Sequence, residues 1–485
     1  MDHIKHLLST CFGPLLDHKN PLAGGDTLPT LPGSTRSTVD STIARLDGEL
    51  RRISLDLHAN PELGFQEHHA VQVLTAFLEV QGFTVTRAAF GIETAFTATF
   101  EHKGQAGTEP IKVGFCSEYD ALPGLGHACG HNLIAIAGLA AAVAAKETIV
   151  KHNLAAQITL YGTPAEEGGG GKVHMIDAGA FVDLDICLML HPDSGNNSRP
   201  RCLAMQWIQV TYTGKSAHAA ASPWDGHNAL DAVCLAFSNL SHMRQQLQPT
   251  DRVHGIITNG GAKSNIIPAF TAANFIARAP TQKRLTVVVD KLVACLAAAA
   301  QATSTQVDIE YTMAYANQLS NDTLATLYQV EMEKRGVKFP PLEEMLAEST
   351  GSTDFGNVSH VVPGLQPMFD VEVPGAELHT KPFADKAAPA IEAHKATLRA
   401  AAGLACTALT VVANPELAKR IRQEFEQDPD RLTLLAALER GEPGSLGIPK
   451  LGPVSVASAK TKAATERTPL LLASGSTLAP PPYTP

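Results

Sequence analysis

Short apolar runs alternate with helix-patterned segments through the middle of the chain, which predicts an α/β fold with a mostly parallel sheet. Three of these runs read as buried strands that end in polar side chains. Residues 112–117, with Val113 and Phe115 on one face, lead into Glu118-Tyr119-Asp120. Residues 156–161 lead into Glu166-Glu167 and the glycines 168–171, and residues 185–190, apolar after Asp185, stop at His191. Ligands of open α/β sheets bind beyond the carboxyl ends of the strands, so these polar groups are expected to share one site.

A different rhythm runs through residues 203–315. A strand over 206–212 precedes a helix over about 225–247, with Leu230, Val233, Phe237 and Leu240 on one stripe. Strands over 254–258 and 270–278, a helix over 282–302 and a strand over 306–312 follow. That βαββαβ order predicts a ferredoxin-like domain inserted into a catalytic domain built from residues 39–202 and 316–415. Residues 1–38 lack periodicity and read as a loose arm. A helical extension over 416–440 precedes residues 441–485, whose Pro, Gly, Ser and Thr content predicts disorder.

Composition narrows the function classes. Of 485 residues, 44% are hydrophobic and 18% charged, which suits a buried core and excludes wholesale disorder. A net charge of −10 argues against a general nucleic-acid binder, because phosphates demand Lys and Arg. The best uncharged apolar run, residues 400–414, falls short of the ~20 needed to span a bilayer, so no membrane span is expected. No signal-peptide pattern opens the chain. The eight cysteines are scattered rather than spaced as a framework, which predicts reduced thiols and a cytoplasmic protein.

The candidate chemistry is metal binding. Cys129-Gly130-His131 places a thiol and an imidazole two residues apart around a flexible glycine. Glu166 and Glu167 are adjacent carboxylates, which repel unless a cation or a shared proton compensates. His191 ends an apolar strand, and His379 lies in a late loop. Each of these has an ordinary structural reading alone. Together, a Cys, His and Glu set suits zinc, and a His and carboxylate pair also takes manganese or cobalt.

Further motifs occur in order. They are Asp56-Leu57-His58-Ala59-Asn60-Pro61-Glu62-Leu63-Gly64-Phe65, Glu118-Tyr119-Asp120-Ala121-Leu122-Pro123, Cys129-Gly130-His131 and Ala165-Glu166-Glu167-Gly168. Gly214-Lys215-Ser216-Ala217-His218, Asn265-Ile266-Ile267-Pro268 and His379 complete the series. Over about residues 40–415 the chain resembles the amidohydrolase branch of the aminoacylase/carboxypeptidase family of co-catalytic metallopeptidases. Asn132 after Cys-Gly-His, where Asp is commoner, and the run Ser352 to Ser359 point to a narrower group. That group contains β-alanyl-lysine-type dipeptidases and p-aminobenzoyl-glutamate hydrolases.

The resemblance implies two divalent ions, zinc or manganese, held by Cys129, His131, Glu167, His191 and His379, with Cys129 as the bridge. Asp120 falls where the family orients a ligand histidine. Glu118 stands where other branches have a ligand histidine, and His127 is left as a structural neighbour. Glu166 takes the proton of the attacking water and passes it to the leaving amine. His218 is expected to stabilise the oxyanion from the partner subunit of a homodimer formed through the inserted lid domain. Asn265 and Arg278 are expected to bind the substrate's carbonyl and terminal carboxylate. The substrate expected is a dipeptide or small N-acyl amino acid, p-aminobenzoyl-glutamate among the alternatives. Two further readings are a non-catalytic metal-binding regulator and a thiol hydrolase with Cys129 as nucleophile.

Overall fold

The computed structural model describes residues 28–105, 108–347, 349–439 and 454–456. The first helix, Gly33–Ala59, begins inside the stretch expected to be a loose arm. Val39, Ile43, Leu46, Leu50, Ile53 and Leu57 recur at helical spacing and are all buried, so the helix packs as part of the core. Residues 1–27 of the expected arm lie outside the described residues.

The main sheet has six strands in the order Thr84–Arg87, Phe96–His102, Ala156–Gly162, Ile111–Ser117, Ile186–Leu188 and Gly364–Leu365. The pairings from Ala156–Gly162 onward are parallel, and the two at the Thr84 edge are antiparallel, so the sheet is mixed. Helices Gly33–Ala59, His131–Lys151 and Ile391–Val412 cover one face and share its core with Val113, Phe115, Ile158 and Leu160. The opposite face carries Cys116, Tyr161, Cys187 and Met189, packed with Met175 and Phe355 from two short helices. Burial on both faces is why the central strands read as continuous apolar runs.

A second sheet lies between Ala204 and Tyr315, with the strand order Gln306–Tyr315, Ala204–Thr213, Phe270–Ala279 and Arg252–Asn259. All its pairings are antiparallel. Helices Ala229–Met243 and Gln282–Thr303 pack on one side through Ala232, Val233, Ala236, Leu285, Val288 and Leu292, a core of its own. The expected βαββαβ order is therefore present. The first helix is shorter than expected because short 3₁₀ turns, Pro223–Asp225 and Arg244–Gln246, flank it. Val454–Val456 pairs antiparallel with Val307–Ile309 at the edge of this sheet, in a stretch expected to be disordered. The remainder of 441–485 lies outside the described residues.

Two other expectations need correction. The extension over 416–440 is two helices, Pro415–Glu426 and Pro429–Glu439, because Pro429 cannot continue the first and instead opens the second. Three helices, His131–Lys151, Gln282–Thr303 and Ile391–Val412, are long and apolar enough to cross a membrane by length and composition. Considering only strictly uncharged runs overlooked them. Their apolar windows are 83%, 33% and 89% buried within the protein, so the first and third satisfy their apolarity in the core.

Candidate metal centre and active site

The carboxyl ends of the parallel strands deliver the polar groups to one place. Ile111–Ser117 ends just before Glu118 and Asp120, Ala156–Gly162 precedes Glu166 and Glu167, and His191 follows Ile186–Leu188. Gly130 lets the fourth segment join them. It adopts φ +80°, and a Cβ there would lie 2.7 Å from Pro192 Cγ, so glycine allows Cys129 to approach the His191 strand. His379 arrives from its loop in the left-handed region, φ 60°, with its N–H donating to Ala128 O at 2.8 Å.

The five expected ligands form two triads that share Cys129. Cys129, His131 and His191 make the first, and Cys129, Glu167 and His379 the second, each with ligand atoms within 4.8 Å of one another. Cys129 Sγ lies 3.5 Å from His191 Nε2 and 3.3 Å from His379 Nε2. His379 Nε2 lies 3.3 Å from Glu167 Oε1, and His131 Nε2 is 3.9 Å from both Glu166 Oε2 and Glu167 Oε1.

The hydrogen bonds around the histidines select which nitrogen is left for a cation. His131 Nδ1–H donates to Asp120 Oδ1 at 2.9 Å, and His191 Nδ1–H donates to Pro192 O at 2.8 Å. Each ring therefore presents an Nε2 lone pair inward. His131 Nε2 and Glu167 Oε1 are buried and have no hydrogen-bond partner. Orphaned lone pairs of this type, in a Cys, His and carboxylate set, fit a divalent cation. Asp120 works twice, since its Oδ2 also accepts from Glu167 N–H at 2.9 Å. Burial opposes its charge, yet His131 beside it holds the carboxyl below its ordinary value.

Glu166 and Glu118 differ from the ligands. Burial, with Glu118 and Glu167 alongside, pushes the Glu166 carboxyl well above the usual range. Glu118 is held by Lys172, whose Nζ donates to Glu118 Oε1 at 2.6 Å and to Asp354 Oδ1 at 2.7 Å, all three fully buried. An internal ammonium thus compensates two carboxylates where other branches of the resembled family place a ligand. Glu118 Oε2 still faces His131 Nε2 at 3.5 Å. His127 is structural: Nε2 bonds Leu57 O at 3.1 Å, and burial lowers the ring to about 3.

The remaining candidates separate. His218 is exposed, and its Nδ1 accepts from the N–H groups of Ala220 and Ala221 at 3.3 and 3.1 Å. That arrangement puts the proton of the neutral ring on Nε2, facing outward as a donor. His218 pairs across a β-bridge with Ile266, which brings it beside Asn265 and away from the ligands. Arg278 sits at the far end of the Phe270–Ala279 strand, roughly 26 Å of extended chain from Phe270. Its guanidinium donates to Ser352 Oγ at 2.8 Å, and Glu166 is close enough to partly offset the lowering that burial imposes on it. Asn265 and Arg278 therefore do not meet at one end of a substrate within one chain.

Sequence reasoning missed three supports of the site. Lys172 gave no signal beyond being a lone cation after four glycines. Glu67, fully buried, accepts from Ala165 N–H at 2.8 Å, and burial raises its carboxyl to about 7. Tyr315 reaches the same turn from the second sheet, its hydroxyl 2.6 Å from Glu166 O.

Two triads of possible cation ligands that share one thiol, at the carboxyl ends of the parallel strands and beside Glu166, which could itself join His131 and Glu167 around an ion, fit a metal-dependent hydrolase. The model of peptidase family M20/M25/M40 matches residues 114–402. Human Xaa-Arg dipeptidase is 42% identical over 84% of this chain and 96% of its own length. A p-aminobenzoyl-glutamate hydrolase component from Escherichia coli is 30% identical over 76% of this chain and 90% of that protein. A putative aminohydrolase from methicillin-resistant Staphylococcus aureus shares the fold at TM-score 0.61 and 18% identity, over 77% of this chain and 99% of that one. A dinuclear metal binding peptidase of Bacillus subtilis does so at 0.55 and 17%, over 76% and 99%. The chain belongs to peptidase family M20/M25/M40 and is a hydrolase of peptide and related amide bonds.

Proposed function

We propose that the protein hydrolyses the amide bond of a dipeptide with a basic C-terminal residue, of the Xaa-Arg kind. The wider reaction, metal-dependent hydrolysis of a dipeptide or small N-acyl amino acid, carries over from relatives matched along nearly their whole length. The observation that carries it is the pair of triads sharing Cys129, with Glu166 beside them and outside the two triads that share the thiol. Two divalent ions, zinc or manganese, held by Cys129, His131, Glu167, His191 and His379, polarise the scissile carbonyl and acidify water when bound.

The chain's own residues do the rest. Glu166 accepts a proton from the water whose oxygen bonds to the carbonyl carbon, then delivers it to the nitrogen as the C–N bond breaks. Asp120 fixes His131 and the Glu167 backbone so that neither reorganises during the reaction. The second unit serves as a lid and as the contact of a homodimer. Arg278 acts from its own chain on the substrate's carboxylate, while the partner subunit's His218 and the partner subunit's Asn265 meet the carbonyl. The separation of Asn265 from Arg278 and the outward Nε2–H of His218 support this division. The scattered thiols, of which Cys116, Cys187 and Cys406 are buried and outside any disulfide, support a cytoplasmic location.

The test is a panel offered to the zinc- or manganese-loaded protein: Xaa-Arg and Xaa-Lys dipeptides, p-aminobenzoyl-glutamate and N-acetyl amino acids. Basic dipeptides are expected to be cleaved with the highest kcat/KM. A preference for p-aminobenzoyl-glutamate overturns the substrate, and full metal loading without hydrolysis of any member overturns the activity.

A further inference from the structure

The turn that carries Glu166 and Glu167 is held from outside the main sheet. Tyr315, the last residue of the second sheet's final strand, is buried where the chain crosses back to the catalytic unit. Its hydroxyl donates to Glu166 O at 2.6 Å and accepts from Gly170 N–H at 3.1 Å, closing both ends of the turn. Trp207, from the neighbouring strand, packs edge-on against the Tyr315 ring at 6.0 Å and lies against Gly168. Gly170 has φ +63°, and a Cβ there would meet Met313 Sδ at 2.4 Å, so a side chain at that position would be strained and would displace the Met313 side chain. The glycines after Glu167 are a docking surface for this strand as well as a flexible hinge.

We propose that Tyr315 is a positioning residue that ties the placement of Glu166 to the placement of the second unit, with Trp207 bracing the tie. The proposal rests on Glu166 as the proton carrier. Because Tyr315 grips the Glu166 carbonyl and not its carboxylate, it sets where the base points without touching substrate. Movement of the second unit relative to the main sheet shifts this strand and, through it, the base. A misplaced general base costs rate steeply while leaving substrate binding nearly intact.

The test uses the full chain with Trp224→Phe, which removes an exposed ring and leaves Trp207 as the single tryptophan. Zinc titration should change Trp207 emission as Glu167 is fixed and the turn sets against the ring. Adding Tyr315→Phe should remove most of that response while metal stoichiometry stays unchanged and Tm falls only modestly. On the substrate cleaved by the parent, Tyr315→Phe should lower kcat about tenfold with KM within about twofold. An unchanged kcat, or a loss of kcat that tracks loss of metal or of Tm, overturns the proposal. If Tyr315→Phe does not fold, Trp207→Phe keeps both hydrogen bonds and should give a smaller fall in kcat at full metal content. Parental kcat in that variant, or failure of both variants to fold, assigns the contact to stability alone. If the parent cleaves nothing in the panel, the functional reading fails, and the emission response still decides the tie.

Discussion

The ligand cluster and the His218 loop are built in opposite ways. Around the cluster most groups have a partner that fixes them, Asp120 on His131, Pro192 O on His191, Lys172 on Glu118, and Glu67 and Tyr315 on the turn of Glu166, while the expected ligand His379 is itself exposed on its loop. His131, Glu118 and Asp120 are buried, so their geometry is set when the protein folds. His218 and Asn265 stand exposed on a loop of the second unit, held by local backbone bonds, with no hydrogen bond or ion pair to the cluster among the described residues. Charge-bearing groups that must hold a cation need a rigid, desolvated frame. Groups that meet only the substrate can wait in solvent until a lid or a second copy of the chain brings them in.

The largest expected effect tests the rigid side. Glu166→Ala should lower kcat on the order of a thousandfold while the protein keeps its metals, measured as turnover beside metal stoichiometry. Near-parental turnover at full metal content would remove Glu166 from the chemistry. A second experiment addresses the waiting side. His218→Ala should cost roughly a hundredfold in kcat, and mixing it with Glu166→Ala subunits should restore activity once dimers exchange. Mixed dimers without recovery would show that His218 acts within its own chain or not at all.

The smallest effect sharpens the contrast. Asp120→Asn keeps the shape but loses the charge facing His131 Nδ1–H, so metal affinity should fall roughly 10- to 100-fold. Competition with a chelator measures it. The gap to the parent should narrow on lowering pH, because the parent's Asp120 carboxylate, held below the ordinary range beside His131, is eventually protonated whereas Asn does not titrate. In the parent that carboxylate stays ionised to lower pH than a free one, and its contribution vanishes only as pH falls through its depressed value.

Positions at strand ends made Asp120, Glu166, Glu167 and His191 legible as candidates and spacing singled out Cys129 and His131, whereas the set of five ligands, His379 included, was implied by the family resemblance. The βαββαβ order of the second unit was legible for a similar reason, since its apolar stripes keep helix and strand periods apart. Local sequence could not reveal the role of Lys172: only the fold shows that a lysine after four glycines lands between Glu118 and Asp354, 182 residues from the latter. The start of the first helix was misread because Pro, Gly, Ser and Thr at its opening mask an apolar stripe that begins at Val39. Helix content near the C-terminus was read correctly but its break was not, although Pro429 marks it.

By itself the sequence determined which side chains could act: their types, their order and the periodic burial that puts them at strand ends are written in local pattern. Tertiary structure alone decided which of them meet. It gave Cys129 to both triads, turned Glu118 toward an internal lysine, set Asn265 and Arg278 at opposite ends of one unit and brought Tyr315 onto the Glu166 turn. The physical reason is that contact between residues far apart in the chain depends on strand register and layer packing, which no local pattern specifies.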